Sequence, residues 1–393
     1  MDSLPRRVVL QLGLAQLINW GVTFYLPGAF APAIVADTGW GGQQVFAGLS
    51  VALLVMGLIS PLSGPLIQRL GGRRLMQIGA LLNASGCIGL SLCSTSGGYF
   101  AAWALLGLGM RLSLYDTLFA TLAGLAGAAA RPVMVQITLL GGLASAVFWP
   151  LGHGLLDAYG WRTGIALYGV LALCSGLLLS GLPNAAAAPA QQIDQAPATV
   201  PWPRKLGYAL SVTLISFISA GLSAHLPGLL LDFNLPLWLA ALWGIGQTCS
   251  RLAQSLLARS LSALRLNVWV GMGLSLSFAI GLCSQGRIWL ACVFVFGYGA
   301  MNGLATLLRA SLPFELFEHG QYAQLVGRLL APGFVCAAAA PWCYAAVREV
   351  AGDEGMLGLS LGLALVVLTV ARLLSRVGAR LAREDVSTSD RGC

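Results

Sequence analysis

Stretches of about twenty apolar residues follow one another along almost the whole chain, each long enough to cross a roughly 30 Å hydrocarbon layer as a helix. No other feature restricts the fold so tightly. A backbone in hydrocarbon must satisfy its own hydrogen bonds, which leaves helices or closed barrels, and the alternating pattern of a barrel is absent. Only 9% of residues are charged and the mean hydropathy is +0.80, far from the roughly 25% charged of a soluble domain. The expected fold class is therefore an all-α polytopic membrane protein.

The apolar spans read as residues 8–34, 43–67, 75–94, 99–124, 133–156, 161–182, 206–231, 235–257, 266–283, 288–309, 322–347 and 356–377, which predicts twelve transmembrane helices. The first exceeds the core of a signal peptide, and Ala31-Pro32-Ala33 lies too deep for a cleavage site, so it counts as a span. Basic residues gather at one set of ends. With the N-terminus inside, roughly sixteen fall on the cytoplasmic side, against Arg162, Arg287 and Arg348 outside. That asymmetry predicts an even number of crossings with both termini cytoplasmic.

The net charge of +8 does not point to nucleic acid, because the basic residues are scattered between apolar runs. The nine cysteines form no C-x-x-C pair and read as small buried hydrophobes. Cys336 and Cys343, seven apart, share a helix face but would need a further ligand to hold a soft ion. Neither a metal site nor a cofactor is expected.

Between Pro183 and Pro203 the chain becomes Ala/Pro-rich and polar, which reads as a cytoplasmic linker over 183–204 joining a bundle at 1–182 to a second at 205–393. The two halves share a pattern. Gly21-x-x-x-x-Leu26-Pro27-Gly28 returns as Gly221-x-x-x-x-Leu226-Pro227-Gly228, which pairs Tyr25 with His225. Gly107-Leu108-Gly109 corresponds to Gly297-Tyr298-Gly299, and Gly142 with Pro150 to Gly333 with Pro341. We read an internal duplication of six helices plus six, and parallel repeats of this kind enclose a substrate site near the midplane between them.

The loop after the second span, from Gly64 through Pro65, Gln68, Arg69 and Gly71 to Arg73 and Arg74, resembles the signature loop of the major facilitator superfamily. The resemblance implies a secondary transporter in a bacterial inner membrane, with Gly64, Gln68, Arg69, Gly71, Arg73 and Arg74 as gating residues. The signature's acidic residue falls at Gln68, which implies a looser cytoplasmic gate or a substitute latch. Trp149-Pro150-Leu151-Gly152-His153-Gly154 resembles a degraded antiporter motif in which Pro150 and Gly154 match, and this leans towards export.

An ionisable residue inside a membrane is costly enough to be a functional hypothesis by default. Of fourteen acidic residues only Asp116 falls well inside a span. It is the candidate proton carrier, or else half of a permanent ion pair. Arg111, five residues earlier, would point about 140° away from Asp116 on a continuous helix and would share a face with Tyr115. The resemblance places the fourth span on the cavity, so Arg111 and Tyr115 are expected to bind an anionic group.

Tyr25, His225, Asn302 and Gln136 complete the expected substrate-binding set, beside the plausible cavity residues Asn19, Trp20 and Trp149. Arg251 and Arg328 lie nearer the cytoplasmic ends and are expected to gate. Gly358-x-Ser360-x-Gly362 matches a nucleophile motif but sits in a membrane helix without its strand-turn-helix context. No enzyme activity is expected, and no ATP-binding motif is present.

The expected function is proton-coupled efflux, by antiport, of a small molecule or metalloid by a monomeric carrier in the lipid bilayer. Import of a small anionic nutrient, vitamin or metal chelate remains open, and so does a non-transporting membrane sensor or scaffold.

Overall fold

The computed structural model describes residues 5–126, 130–184, 202–257, 262–316 and 322–389. Every regular element among them is helical: α1 Arg6–Val22, α2 Leu26–Thr38, α3 Gly42–Leu70, α4 Gly72–Leu92, α5 Ser96–Ser113, α6 Tyr115–Ala126, α7 Arg131–Gly141, α8 Ala144–Leu178, α9 Trp202–Asp232, α10 Ala241–Leu257, α11 Ala263–Leu282, α12 Ile288–Leu316 and α13 Tyr322–Ser389, with short 3-10 turns after α8 and before α10. Among the described residues eight stretches are long and apolar enough to cross a membrane. Two of them, residues 132–181 and 335–376, far exceed the roughly 20 residues one crossing needs. Each is broken by a glycine with positive φ, Gly160 (76°) in α8 and Gly352 (66°) in α13, a region that glycine enters without steric cost. The linker residues 185–201 lie outside the described residues.

The packing is that of a protein surrounded by lipid. Leu58, Leu92, Leu177, Leu276 and Val293 stand exposed on the outside of the bundle, where a water-soluble surface would carry charge. Inside, the N-terminal half is tied by buried amides and hydroxyls. Asn83 Nδ2 donates to Ser113 Oγ (3.0 Å) and to Asn19 Oδ1 (3.3 Å), Ser175 Oγ donates to Asn19 Oδ1 (3.1 Å), and Gln16 Nε2 donates to the Ser113 carbonyl (2.8 Å). Asn19, expected in the cavity, is thus fully buried and links α1 to α4 and α8. The C-terminal half has a smaller counterpart, Asn267 Nδ2 to Ser211 Oγ at 3.3 Å.

Three expected spans are interrupted. The first breaks between α1 and α2, where the Tyr25 N–H reaches back to the Trp20 carbonyl (3.2 Å) and the freed Tyr25 carbonyl accepts from Trp149 Nε1 (3.1 Å). The fourth breaks at Leu114, whose ψ of −175° is extended, and the fifth at Gly142–Leu143 between α7 and α8. The seventh, which the repeat pairs with the first, runs unbroken as α9 despite Pro227.

The halves meet along one seam, α2 against α9, α3 against α13 and α8 against α10. At the end that charge asymmetry assigns to the outside, the Gln43 backbone N–H and side-chain amide donate to Glu349 (3.2 and 2.5 Å), and Phe46 lies on the His225 ring with centroids 3.8 Å apart. Deeper, Trp149 and Tyr25 pack on Trp243 (5.5 Å each).

Candidate functional site: two arginines and an aromatic wall

Arg111 and Asp116 are brought together by the break in the fourth span. On a continuous helix a five-residue spacing separates them, but the extended residue Leu114 resets the register and the pair closes at 2.5 Å. Arg111 is mostly buried, while the Asp116 side chain is half exposed. Ser63 Oγ of α3 accepts a second hydrogen bond from Arg111 (2.8 Å), and Thr117 Oγ1 caps the Arg111 carbonyl at 2.7 Å. The expectation that Arg111 looks away from Asp116 and along Tyr115 is therefore corrected. Tyr115 begins the next helix and packs instead on Trp20 (5.3 Å) and Phe119 (5.2 Å).

Arg251 is the contrasting case. It is 4% exposed on α10, at the depth of the break in the fifth span, and among the described residues no carboxylate lies within ion-pair distance of it. Its partners are all neutral: the Thr138 carbonyl across the seam (2.7 Å), Gln247 Oε1 one turn earlier (3.2 Å), and Thr306 Oγ1 (3.2 Å) with the Gly303 carbonyl (3.5 Å) on α12. Thr248 Oγ1 adds a second cross-seam bond, to the Leu139 carbonyl at 3.2 Å. Around this cation stand Tyr115, facing the guanidinium, and Tyr25, facing Gln247. Above them Trp243 stacks between Trp149 (5.5 Å) and Tyr298 (5.7 Å). An arginine stays protonated at any physiological pH, and a buried charge is costly unless compensated. Here the compensation comes from hydrogen bonds to neutral acceptors.

The remaining expected residues scatter. His225 is buried in the outer seam between Phe46 and Tyr344, and its Nε2 lies 3.1 Å from the Pro341 carbonyl, so it shares a sequence register with Tyr25 but not a place. Asn302 is buried beside Gly303, and Gln136 is exposed. Gln68 and Arg69 are exposed, as are Gly64, Pro150 and Gly154. Arg73 reaches the Ser180 carbonyl (3.5 Å). The side chain of Arg328 lies outside the described residues.

In the signature loop Asn184 takes part where an acidic residue is missing. Its Oδ1 accepts from the Arg74 backbone N–H and its Nδ2 donates to the Leu70 carbonyl, both at 3.3 Å, clamping Gly71 to the end of the sixth span. At the opposite end Arg348 bridges Asp232 and Asp353 (2.7 Å to the latter) at the turn marked by Gly352.

Gln247, Thr138, Gly142, Trp243 and Ser63 surround the two arginines of this candidate site and were missed by sequence reasoning. One signal was present for Gln247, which precedes Arg251 by four and so shares its helix face.

A model of the Major Facilitator Superfamily matches residues 12–341. The chain is also similar to monocarboxylate transporter 1 of Bos taurus, 33% identical over 129 residues. That match takes in 32% of this chain and only 25% of the bovine protein's length. With its apolar helices, the chain is a multi-pass membrane protein, and it belongs to the major facilitator superfamily.

Proposed function

We propose that the protein is a proton-coupled secondary transporter of a small organic anion, built on twelve crossings in two six-helix halves. The observation that carries this reading is Arg251, a buried cation at the meeting of the two halves whose partners are all neutral. A carboxylate supplies the missing counter-charge with charge-assisted hydrogen bonds about twice as strong as neutral ones. The aromatic wall of Tyr25, Tyr115 and Trp243 suits an apolar or planar body behind that group. Similarity to a monocarboxylate transporter over part of the chain favours the same cargo class.

In this reading Asp116 takes up the proton. Protonation removes the partner that neutralises Arg111, so the proton and the local charge balance change together at one helix break. Carrying an anion with a proton moves no net charge, and flux then follows the summed gradients. An anionic cargo gives the importer reading a footing, while the partial antiporter motif at Pro150 and Gly154 keeps efflux of a small molecule open.

The test is flux into proteoliposomes of a panel of lactate, pyruvate, benzoate and 4-hydroxybenzoate, with and without an imposed pH gradient. Saturable entry of at least one anion, accelerated by inside-alkaline pH and reduced at least tenfold in Arg251→Gln, is the expected outcome. Equal flux in wild type and Arg251→Gln, or no flux of any member, overturns the reading.

A further inference from the structure

The way Arg251 is held gives the proposed anion site a second property. The guanidinium belongs to the C-terminal half, yet its shortest bond, at 2.7 Å, is to the Thr138 carbonyl of the N-terminal half. Thr138 lies in the last turn of α7. Its carbonyl also accepts the Gly142 N–H at 2.9 Å. Losing Arg251 would therefore not orphan it. Gly142 faces the guanidinium so closely that a Cβ there would lie 2.7 Å from Nη1 and 3.0 Å from Thr248 Oγ1. On the other side Gln247 holds Nη2 through a neutral amide oxygen, which orients the group without cancelling its charge.

We infer that Gly142 and Gln247 are positioning residues of the anion site, and that together they make the Arg251–Thr138 bond a clasp between the halves which a carboxylate cargo undoes. The inference rests on the anion reading above. An arriving carboxylate takes Nη1 in place of the Thr138 carbonyl, because an ionised acceptor outcompetes a neutral one for the same N–H. A bond across the seam is exchanged for a bond to the cargo, and the Thr138 carbonyl keeps the Gly142 N–H. The bond from Thr248 Oγ1 to the Leu139 carbonyl then remains between α10 and α7. Cargo binding and separation of α7 from α10 are thereby one event, and a neutral molecule of the same shape does not trigger it. Gly142 admits the clasp, and the neutrality of Gln247 leaves the charge for the cargo.

The experiment uses the full-length protein in lipid nanodiscs and two readouts that do not depend on transport. Benzoate, with lactate as a second probe and benzamide as neutral isostere, is titrated by equilibrium dialysis, and amide hydrogen exchange is followed over residues 134–144. In wild type, benzoate is expected to raise exchange in that segment several-fold while benzamide leaves it unchanged. Gln247→Glu, which supplies a built-in counter-charge, is expected to bind benzoate at least tenfold more weakly, whereas Gln247→Asn keeps binding within about threefold. Gly142→Ala is expected to raise exchange without any anion and to leave benzoate nothing to add.

Thr248→Val, which does not crowd the guanidinium, serves as a second seam variant. It is expected to raise basal exchange and keep the benzoate response. If neither benzoate nor lactate binds wild type, the anion reading itself falls. If benzoate binds but leaves exchange in residues 134–144 unchanged, or if Gln247→Glu binds as wild type does, the clasp is overturned and the anion reading stands.

Discussion

Arg111 and Asp116 form a 2.5 Å ion pair across a helix break at Leu114 that a continuous helix would forbid. The pair is a local device, made by one extended residue and capped by Thr117. Because Asp116 is half exposed, the attraction is worth about 1 kcal/mol or less in stability. Asp116→Asn is expected to lower thermal stability only slightly while abolishing acceleration of anion flux by a pH gradient. The exchanged double variant Arg111→Asp with Asp116→Arg restores the pair and its stability without restoring proton dependence. Thermal melts and flux under an imposed gradient, run side by side, check both halves of this statement.

The end of the seam that charge asymmetry assigns to the outside is held by Glu349, which accepts two hydrogen bonds from Gln43. These bonds are solvent-exposed, and a net contribution of about 0.5–1.5 kcal/mol applies to each at most. Glu349→Ala is expected to shift the population towards an open outer face by roughly two- to tenfold. Reactivity of a cysteine placed at Phe46, buried against His225 in the closed seam, measures the shift. Unchanged reactivity of that cysteine in the Glu349→Ala background would refute it.

Gly107 and Gly299 belong to the two corresponding Gly-x-Gly runs, at opposite ends of them, and each lets a neighbouring backbone approach closely. A Cβ on Gly107 would lie 2.9 Å from Ala52 Cα, and one on Gly299 would lie 2.8 Å from Trp243 Cα. Both contacts are with backbone that cannot swing aside, so either Gly→Ala change forces helices apart at a cost of about 1–3 kcal/mol. Gly299→Ala is expected to do more harm to transport, since it displaces the helix that carries Trp243, Gln247 and Arg251. Melting temperatures of the two variants should fall alike while their flux falls unequally.

Asn83 donates to both Asn19 and Ser113 from a fully buried position. Asn83→Leu removes the donor and leaves Asn19 Oδ1 with only Ser175, at an expected cost of about 1–3 kcal/mol. Detergent unfolding monitored by loss of helical signal checks this, with Asn267→Leu as the comparison in the other half.

Much of the architecture was legible in the sequence, because bilayer thickness and backbone hydrogen bonding leave few choices to a chain with apolar runs of this length. The matched Gly-x-Gly pairs were readable for the same kind of reason: close helix approach requires small residues. The breaks were not. Ser113-Leu114-Tyr115 contains neither glycine nor proline, so nothing local announces that the helix stops, and angular spacing along an ideal helix misplaced Arg111 against Asp116. Gly141-Gly142 did carry a signal, which is visible only once its neighbour Arg251 is known.

Arg251 was assigned to the gate by its distance from the helix end. Its burial and its cross-seam partner come from packing between segments more than a hundred residues apart. Asn19 is a polar residue in an apolar span that serves the interior of one half.

The interrupted first span and its unbroken counterpart α9 make the two repeats mechanically unlike. At residues 23–25 the regular ladder gives way to a Tyr25 N–H to Trp20 carbonyl bond and a Leu26 N–H to Thr23 carbonyl bond, and the buried Tyr25 carbonyl is held from the side by an indole. Two helices that share the Leu-Pro-Gly pattern thus differ in continuity, and the break in the first is fastened to the same tryptophan, Trp149, that stacks on Trp243 across the seam.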